Sequence, residues 1–390
     1  MPLKASEESS RVIELLDRLV SFPTVSSDGN LELINYVASR LREATIPFEM
    51  FPHPNGDRSS LFARVGPPGP GGVVLSGHTD VVPVRGQEWT KHPFSLTREG
   101  KRLFGRGTAD MKGFVACALE ALIDAAQTRL TAPLYLALSY DEEIGCVGVR
   151  PMLDFLGGLG LDPRWVLIGE PTGMRIASGH KGKTAARATC CGFSAHSALA
   201  PTGLNAIHLA SDFLSDIRAL QTELAETGPH DPDYDVPYST VHAGMISGGT
   251  ALNIVPDSCT LDFEIRNVAE DDPKALFEQL FRSADSITRR VRQRFPGAGI
   301  QLEIINEYPG LNEMRCADID RTLPAGLSAE KIKVAFGTEG GLFAATLRAP
   351  VFVCGPGHMA QGHKPDEYIE TDQLQACSQM LAQITAQLQA

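Results

Sequence analysis

The chain has 390 residues, enough for two or three domains that each bury a real core. With 43% hydrophobic and 21% charged residues it is an ordinary globular mixture, which excludes a disordered or fibrous chain. The 47 acidic and 35 basic residues give a formal net charge of −12, a sign that repels nucleic acid and anionic lipid. No apolar run approaches the roughly 18 residues of a membrane span. The opening residues mix acids and bases where an export signal is unbroken and apolar, so a cytoplasmic setting with no membrane partner is expected. The eight cysteines, Cys117, Cys146, Cys190, Cys191, Cys259, Cys316, Cys354 and Cys377, contain no C-x-x-C pair and read as reduced thiols. Cys190 and Cys191 are neighbours on one expected strand and should face opposite sides.

In chain order, Val12, Ile13, Leu16, Leu19 and Val20 recur at helical spacing, as do Leu31, Ile34, Val37 and Leu41, so two amphipathic helices open the chain. A Pro/Gly cluster at 66–72 ends that pattern. Short β-type runs follow at 73–76, 134–140 and 165–168, separated by helical stretches at 112–127 and 147–156. Strands alternating with helices predict an α/β layer with a mostly parallel sheet. From Lys181 the order becomes strand 184–191, helix 205–224, strands 240–246 and 258–266, helix 273–294 and strand 300–308. That β-α-β-β-α-β series is the split arrangement of a ferredoxin-like α+β unit. The α/β pattern resumes with strands 332–336 and 351–354 and a closing helix from Thr371. The expected architecture is therefore an α/β domain, residues 1–179 and 311–390, interrupted by an inserted domain at 180–310.

In an open α/β sheet ligands bind beyond the carboxyl ends of the strands. His78 and Asp80, then Glu142 and Glu143, then Glu170 follow three of the β runs, and His363 lies in the loop after the run at 351–354. Asp110 joins them where Gly105, Arg106 and Gly107 turn into a helix; it is either an N-cap or, with two oxygens, a bridge between two metal ions roughly 3.5–4 Å apart. His78 and Asp80 are i and i+2, so in extended chain they share a face and the carboxylate can accept the spare ring N–H, an arrangement that fixes a metal-ligating imidazole. Adjacent Glu142 and Glu143 cannot aim at one point from an extended chain, so one can ligate while the other remains free as a base. Glu170, directly after the apolar run 165–169, is poorly solvated without a cation. Histidines and carboxylates without thiols suit two zinc or cobalt ions in a catalytic site better than a structural zinc.

The runs SGHTDVVPV, GRGTADMKGF, DEEIGCVG, GEPT and GHKPDEYI, in this order and spacing, resemble the dinuclear metallo-aminoacylase and carboxypeptidase G family over nearly the whole chain. The resemblance implies that His78 and Glu170 hold one metal, that Glu143 and His363 hold the other, and that Asp110 bridges them through a segment with a cis peptide at Asp110–Met111. It makes Glu142 the general acid/base and Asp80 the orienter of His78. It also implies a homodimer joined by the inserted domain, with His196 binding the scissile carbonyl in the partner's site and Asn253 and Arg266 contacting a substrate carboxylate. His358, in GPGHMAQGHKPDE, is a departure from the family pattern and a third ligand candidate near His363.

Within the family, HKGK, GGTALNIVPD and GTEGGLF are most similar to the branch that removes acetate from N2-acetyl-L-ornithine in arginine biosynthesis. Glu339 stands where the desuccinylase branch has Ser-Asp-Gly; it either meets a δ-ammonium or serves as a helix-entry acid. The implied activity is a two-zinc amidohydrolase for which cobalt can substitute. Alternatives are the same hydrolysis on succinyl-diaminopimelate, another acyl amino acid or a dipeptide, or a noncatalytic member that uses the inserted domain for association. Gly355, Gly357 and Gly362 do not fit a phosphate cradle, Arg289 to Arg294 close a helix in an acidic chain, and Ser194 and Ser197 lack triad partners.

Overall fold

The computed structural model describes residues 5–26, 28–313 and 331–389; Cys316 lies outside them. The chain divides into two units: Met1–Gly179 with Leu311–Lys333 and Thr338–Ala390, and His180–Gly310 with Val334–Gly337. The assignment of Val334–Gly337 to the second unit is not visible in element order.

The first unit opens with α1 (Ala5–Val20) and α2 (Leu31–Glu43), followed by β1 (Phe48–Pro52), β2 (Ser59–Val65) and β3 (Val73–His78). It continues with the short strands β4 (Thr97–Glu99) and β5 (Arg102–Phe104), α3 (Gly113–Ala125), β6 (Leu134–Ser139), α4 (Arg150–Gly158), β7 (Trp165–Pro171) and β8 (Ala177–His180). The second unit carries β9 (Gly182–Cys191), α5 (Ala206–Thr227), β10 (Thr240–Gly248), β11 (Ser258–Asn267), α6 (Pro273–Arg292) and β12 (Gly299–Tyr308). The chain then closes with β13 (Ile332–Val334), α7 (Gly340–Leu347), β14 (Val351–Gly355), β15 (Tyr368–Glu370) and α8 (Thr371–Gln387).

The eight-stranded sheet runs β1-β2-β6-β3-β7-β14-β8-β13. Its centre, β6, β3, β7 and β14, is parallel, while β1, β2 and β8 join antiparallel. Alternation divides each central strand between two buried faces. Val73 and Leu75, Leu134 and Leu136, and Trp165 and Leu167 enter the cluster built with α1, α2, α3 and α8, while Val74, Tyr135 and Val166 are buried outside it. Burial on both faces explains why these strands read as continuous apolar runs. β1, β2 and β8 were not predicted from the sequence. FEMFP has no alternation, and SSLFARV is buried almost throughout although it opens with two serines.

The second unit is an antiparallel sheet in the order β10-β11-β9-β12. Numbering its strands 1 to 4 along the chain gives 2-3-1-4, the ferredoxin-like arrangement. Ala186, Ala188 and Cys190 of β9 and Leu261, Phe263 and Ile265 of β11 bury against Leu209, Phe213 and Ile217 of α5 and Leu276 and Leu280 of α6. The opposite face carries the Arg187–Asp262 pair, with both hydrogen bonds at 2.7 Å. Cys190 is buried and Cys191 half-buried, on opposite sides, and seven cysteines of the described residues are free thiols. Among the described residues no helix is long and apolar enough to cross a membrane. The fold is α/β with a mostly parallel sheet and an inserted ferredoxin-like α+β unit, as the element order predicts.

Candidate metal centre

The parallel strands extend further than the sequence pattern suggests. His78 is the last residue of β3 and Glu170 the sixth of the seven in β7, so both side chains issue from the strand ends. Gly169 allows that approach, because a Cβ there would overlap the Phe114 ring of α3. Asp110 lies in an irregular turn, Thr108–Lys112, between Gly107 (φ 84°) and α3; Asp110 and Met111 leave helical geometry and their peptide bond is cis.

These elements bring two groups of donors together. His78, Asp110 and Glu170 form one and Asp110, Glu143 and His363 the other, with the donor atoms of each group within 4.8 Å of one another. Asp110 belongs to both: Oδ1 lies 3.1 Å from His78 Nε2 and Oδ2 3.1 Å from His363 Nε2. Glu170 Oε1 is 3.7 Å from His78 Nε2, and Glu143 Oε2 is 3.1 Å from His363 Nε2. His78, Asp110 and Glu170 are buried, whereas the His363 side chain keeps 48% of its exposure and so stands at the solvent side. His358 is in neither group; it is exposed, pairs with Thr172 and stacks over Gly173.

Asp80 does more than its spacing suggests. The close partner of His78 Nδ1 is the Asp80 backbone carbonyl at 3.0 Å, with the carboxylate oxygen at 3.5 Å. The carboxylate also accepts the backbone N–H groups of Glu142 (3.1 Å) and Glu143 (3.3 Å) and the Ser26 hydroxyl (2.6 Å). One residue therefore orients the imidazole with its main chain and the acidic turn with its side chain. Because β3 ends at His78, the Asp80 carbonyl comes closer to the ring than its carboxylate does.

Charge in this space is tightly balanced. Burial works against protonation of His78, but its bonds to Asp110 and Asp80 and the charge of Glu170 hold it well above its ordinary range. His363 is raised to about 10 by Asp110 and Glu143. Burial and the Asp110 charge push Glu143 up to about 7 and Glu170 well above the carboxylate range. Burial also raises Glu142, with the Glu143 charge adding to it. Asp110 and Asp80 stay below the usual range despite burial, through hydrogen bonds from His363 and His78 to Asp110 and from His78 to Asp80. Buried carboxylates that repel one another in this way are neutralised by divalent cations. The donor set, nitrogen and oxygen only, fits such ions, while the nearby Cys146 thiol is raised by burial and by Glu142.

Two supports were not visible in the sequence. Glu367 Oε1 accepts the N–H groups of Ala109 (2.9 Å) and Asp110 (3.1 Å), and its Oε2 pairs with Arg106 Nη1 at 2.7 Å, both side chains being 1% exposed. Arg106 Nη2 donates to Gln87 Oε1 (2.5 Å), and Gln87 donates to the His363 carbonyl (3.0 Å). One buried ion pair thus supports both the Asp110 turn and the His363 loop.

Glu339 precedes α7 and is 1% exposed; Oε2 accepts from Ser76 at 3.4 Å, Oε1 has no hydrogen-bond partner among the described residues, and burial pushes the carboxyl up to about 7. The remaining predicted residues lie in the second unit. His196 and Asn253 are exposed and close together: His196 bridges Ile254, and Ser197 N–H donates to the Asn253 carbonyl at 3.0 Å. Arg266 is at the other end of β11, where its Nε donates to Glu264 (3.0 Å) and its Nη1 to the Tyr308 hydroxyl (3.0 Å).

The sequence pattern of peptidase family M20/M25/M40 matches residues 74–387. The chain is 33% identical over 381 residues to acetylornithine deacetylase of Pectobacterium atrosepticum, covering 95% of this chain and 96% of that protein. Among solved structures it resembles the M20 family metallo-carboxypeptidase Sso-CP2 from Sulfolobus solfataricus, with TM-score 0.74, 19% identity and coverage of 96% and 98% of the two chains. It also resembles the Bacillus subtilis YXEP protein, a dinuclear metal binding peptidase, with TM-score 0.65, 18% identity and coverage of 98% and 99%. On the matched span and the near full-length relative, the chain belongs to peptidase family M20/M25/M40 and is a metal-dependent amidohydrolase.

Proposed function

We propose that the protein is a two-zinc deacetylase that hydrolyses N2-acetyl-L-ornithine to L-ornithine and acetate in arginine biosynthesis, and that it works as a cytoplasmic homodimer. The observation that carries the reading is the pair of donor groups sharing Asp110, with Glu142 beside them on the turn anchored by Asp80. His78 and Glu170 would hold one ion, Glu143 and His363 the other, and Asp110 both; cobalt would substitute for zinc. When bound, the ions supply Lewis-acid activation of water and of the amide carbonyl. Glu142 takes a proton from the attacking water and returns it to the departing α-amine, so that water adds across the C–N bond. Its raised proton affinity suits both halves of that exchange. Asp80 holds the His78 ring and the Glu142 amide in register. Glu339 answers the δ-ammonium, its Oε1 offering a free acceptor among the described residues.

The homodimer is supported by the second unit alone. The register of β11 separates the His196 and Asn253 end, next to Ser258, from Arg266 by most of a ten-residue strand, roughly 25 Å at about 3.3 Å per residue. An acyl amino acid is shorter than that span. If all three residues contact one substrate, two copies contribute them. In this reading the first unit is catalytic and the inserted unit dimerises. The choice of acetyl-ornithine rests on the similarity to relatives of that activity. Acetate or succinate release and dipeptide cleavage, measured on acetyl-ornithine, succinyl-diaminopimelate and a dipeptide, should give the highest kcat/KM for acetyl-ornithine. A preference for either competitor would move the assignment to another branch of the same chemistry.

A further inference from the structure

The turn that carries Glu142 and Glu143 is held from two directions. From β3, Asp80 accepts both of their amides. From the other side, Arg58, immediately before β2, directs Nη1 at Asp141 Oδ2 at 2.5 Å and Nε at Asp57 Oδ1 at 3.2 Å, with its guanidinium 5.9 Å from the Tyr140 ring centroid. The side chains of Arg58 and Asp141 are 10% and 4% exposed. Asp141 has φ +53°, a left-handed conformation that a residue with a Cβ adopts at a cost and that glycine adopts freely. The turn then closes tightly, with Gly145 N–H and Cys146 N–H donating to the Glu142 carbonyl (2.9 Å each). β2 also holds its far end, through Ser60 Oγ donating to the Gly148 carbonyl at 2.7 Å.

We infer that Arg58 is a positioning residue for the acid/base: by clamping Asp141 in its left-handed conformation it sets the direction in which the Glu142 carboxyl leaves the turn. The inference rests on Glu142 being the acid/base and assigns Arg58 no contact with substrate or metal. A buried ion pair that only stabilises the fold would look similar, and the backbone conformation separates the two. If the clamp serves the conformation, a glycine at 141 replaces it.

The test is steady-state kinetics of the zinc-loaded enzyme, with metal content and thermal melting recorded for each variant. Arg58→Met should lower kcat by about 10- to 100-fold, since a misplacement of about 1 Å costs that much, while KM stays within about twofold and metal content is unchanged. The double variant Arg58→Met with Asp141→Gly should recover most of the loss. Arg58→Lys, which keeps the charge without the fork, should fall between. A wild-type kcat in folded Arg58→Met, or a double variant no better than the single, overturns the inference. If Arg58→Met does not fold, the same comparison is made between Arg58→Lys and Arg58→Lys with Asp141→Gly. A Glu142→Gln enzyme that stays active overturns the acid/base reading itself. An inactive Glu142→Gln beside a fully active Arg58→Met overturns only the positioning role.

Discussion

At the residue scale the adjacent glutamates should separate cleanly. Glu143 lies against His363 and Asp110, whereas Glu142 faces the Cys146 thiol at 3.5 Å and hangs from Asp80 by its amide. Glu142→Gln keeps the volume and removes the proton acceptor, so kcat should fall by roughly 10²–10⁴ with metal content intact. Glu143→Gln should instead lose bound metal, which elemental analysis of the purified variant reads directly. Reversed phenotypes would exchange the two roles. The same residues predict a pH effect on the metal-free protein. Glu143 at about 7 and His363 at about 10 both bind their protons more tightly folded than unfolded. The stability each contributes is complete below its ordinary pKa and is lost as pH rises through the folded value. The melting temperature of the metal-free protein should therefore fall from about pH 5 towards pH 10, while zinc, which binds the deprotonated ligands, should flatten the curve. A metal-free protein that melts higher at pH 9 than at pH 6 would contradict these assignments.

At the element scale, the turn at Asp110 and the loop at His363 share the Arg106–Glu367 pair. Replacing Arg106 by Met leaves the Glu367 carboxylate buried without its partner, which should cost about 3–5 kcal/mol in urea unfolding. Because Glu367 holds the Asp110 amide and Gln87 the His363 carbonyl, the same variant should bind less metal than the wild type. Full metal content with the stability loss alone would confine the pair to a structural role. Neither this pair nor Arg58–Asp141 is legible in the chain, because their members stand 261 and 83 residues apart and no local period joins them. The candidate motifs were legible because each is short, and those of His78, Glu142–Glu143 and Glu170 sit at or just beyond the end of a β run. β1 and β2 are not legible because neither FEMFP, a half-exposed edge strand, nor SSLFARV, buried almost throughout, shows an apolar–polar alternation.

At the scale of the whole molecule, chelation followed by dialysis should abolish activity, and zinc or cobalt should restore it; full activity in verified metal-free protein would remove the mechanism. The proposed homodimer is tested by co-expressing Glu142→Gln with His196→Ala and isolating the mixed dimer. If His196 serves the partner's site, one site keeps both an intact Glu142 and an intact His196, and activity returns. If it serves its own, each site lacks one group and the mixed dimer stays as inactive as its parents.

By itself the sequence determined the class of fold, the interruption of one α/β unit by a β-α-β-β-α-β unit, and the candidate metal and acid/base residues. These depend on side-chain type and short-range period, which chain order preserves. Only the tertiary structure decided which groups support those residues: that Asp80 serves the glutamate turn with its carboxylate and His78 with its carbonyl, that Arg106 and Glu367 sustain both Asp110 and His363, and that Arg58 grips Asp141. It also decided that His196 and Arg266 stand at opposite ends of one sheet. The physical reason is that a buried polar group needs a partner by proximity alone, and proximity is set by the packing of strands and turns rather than by distance along the chain.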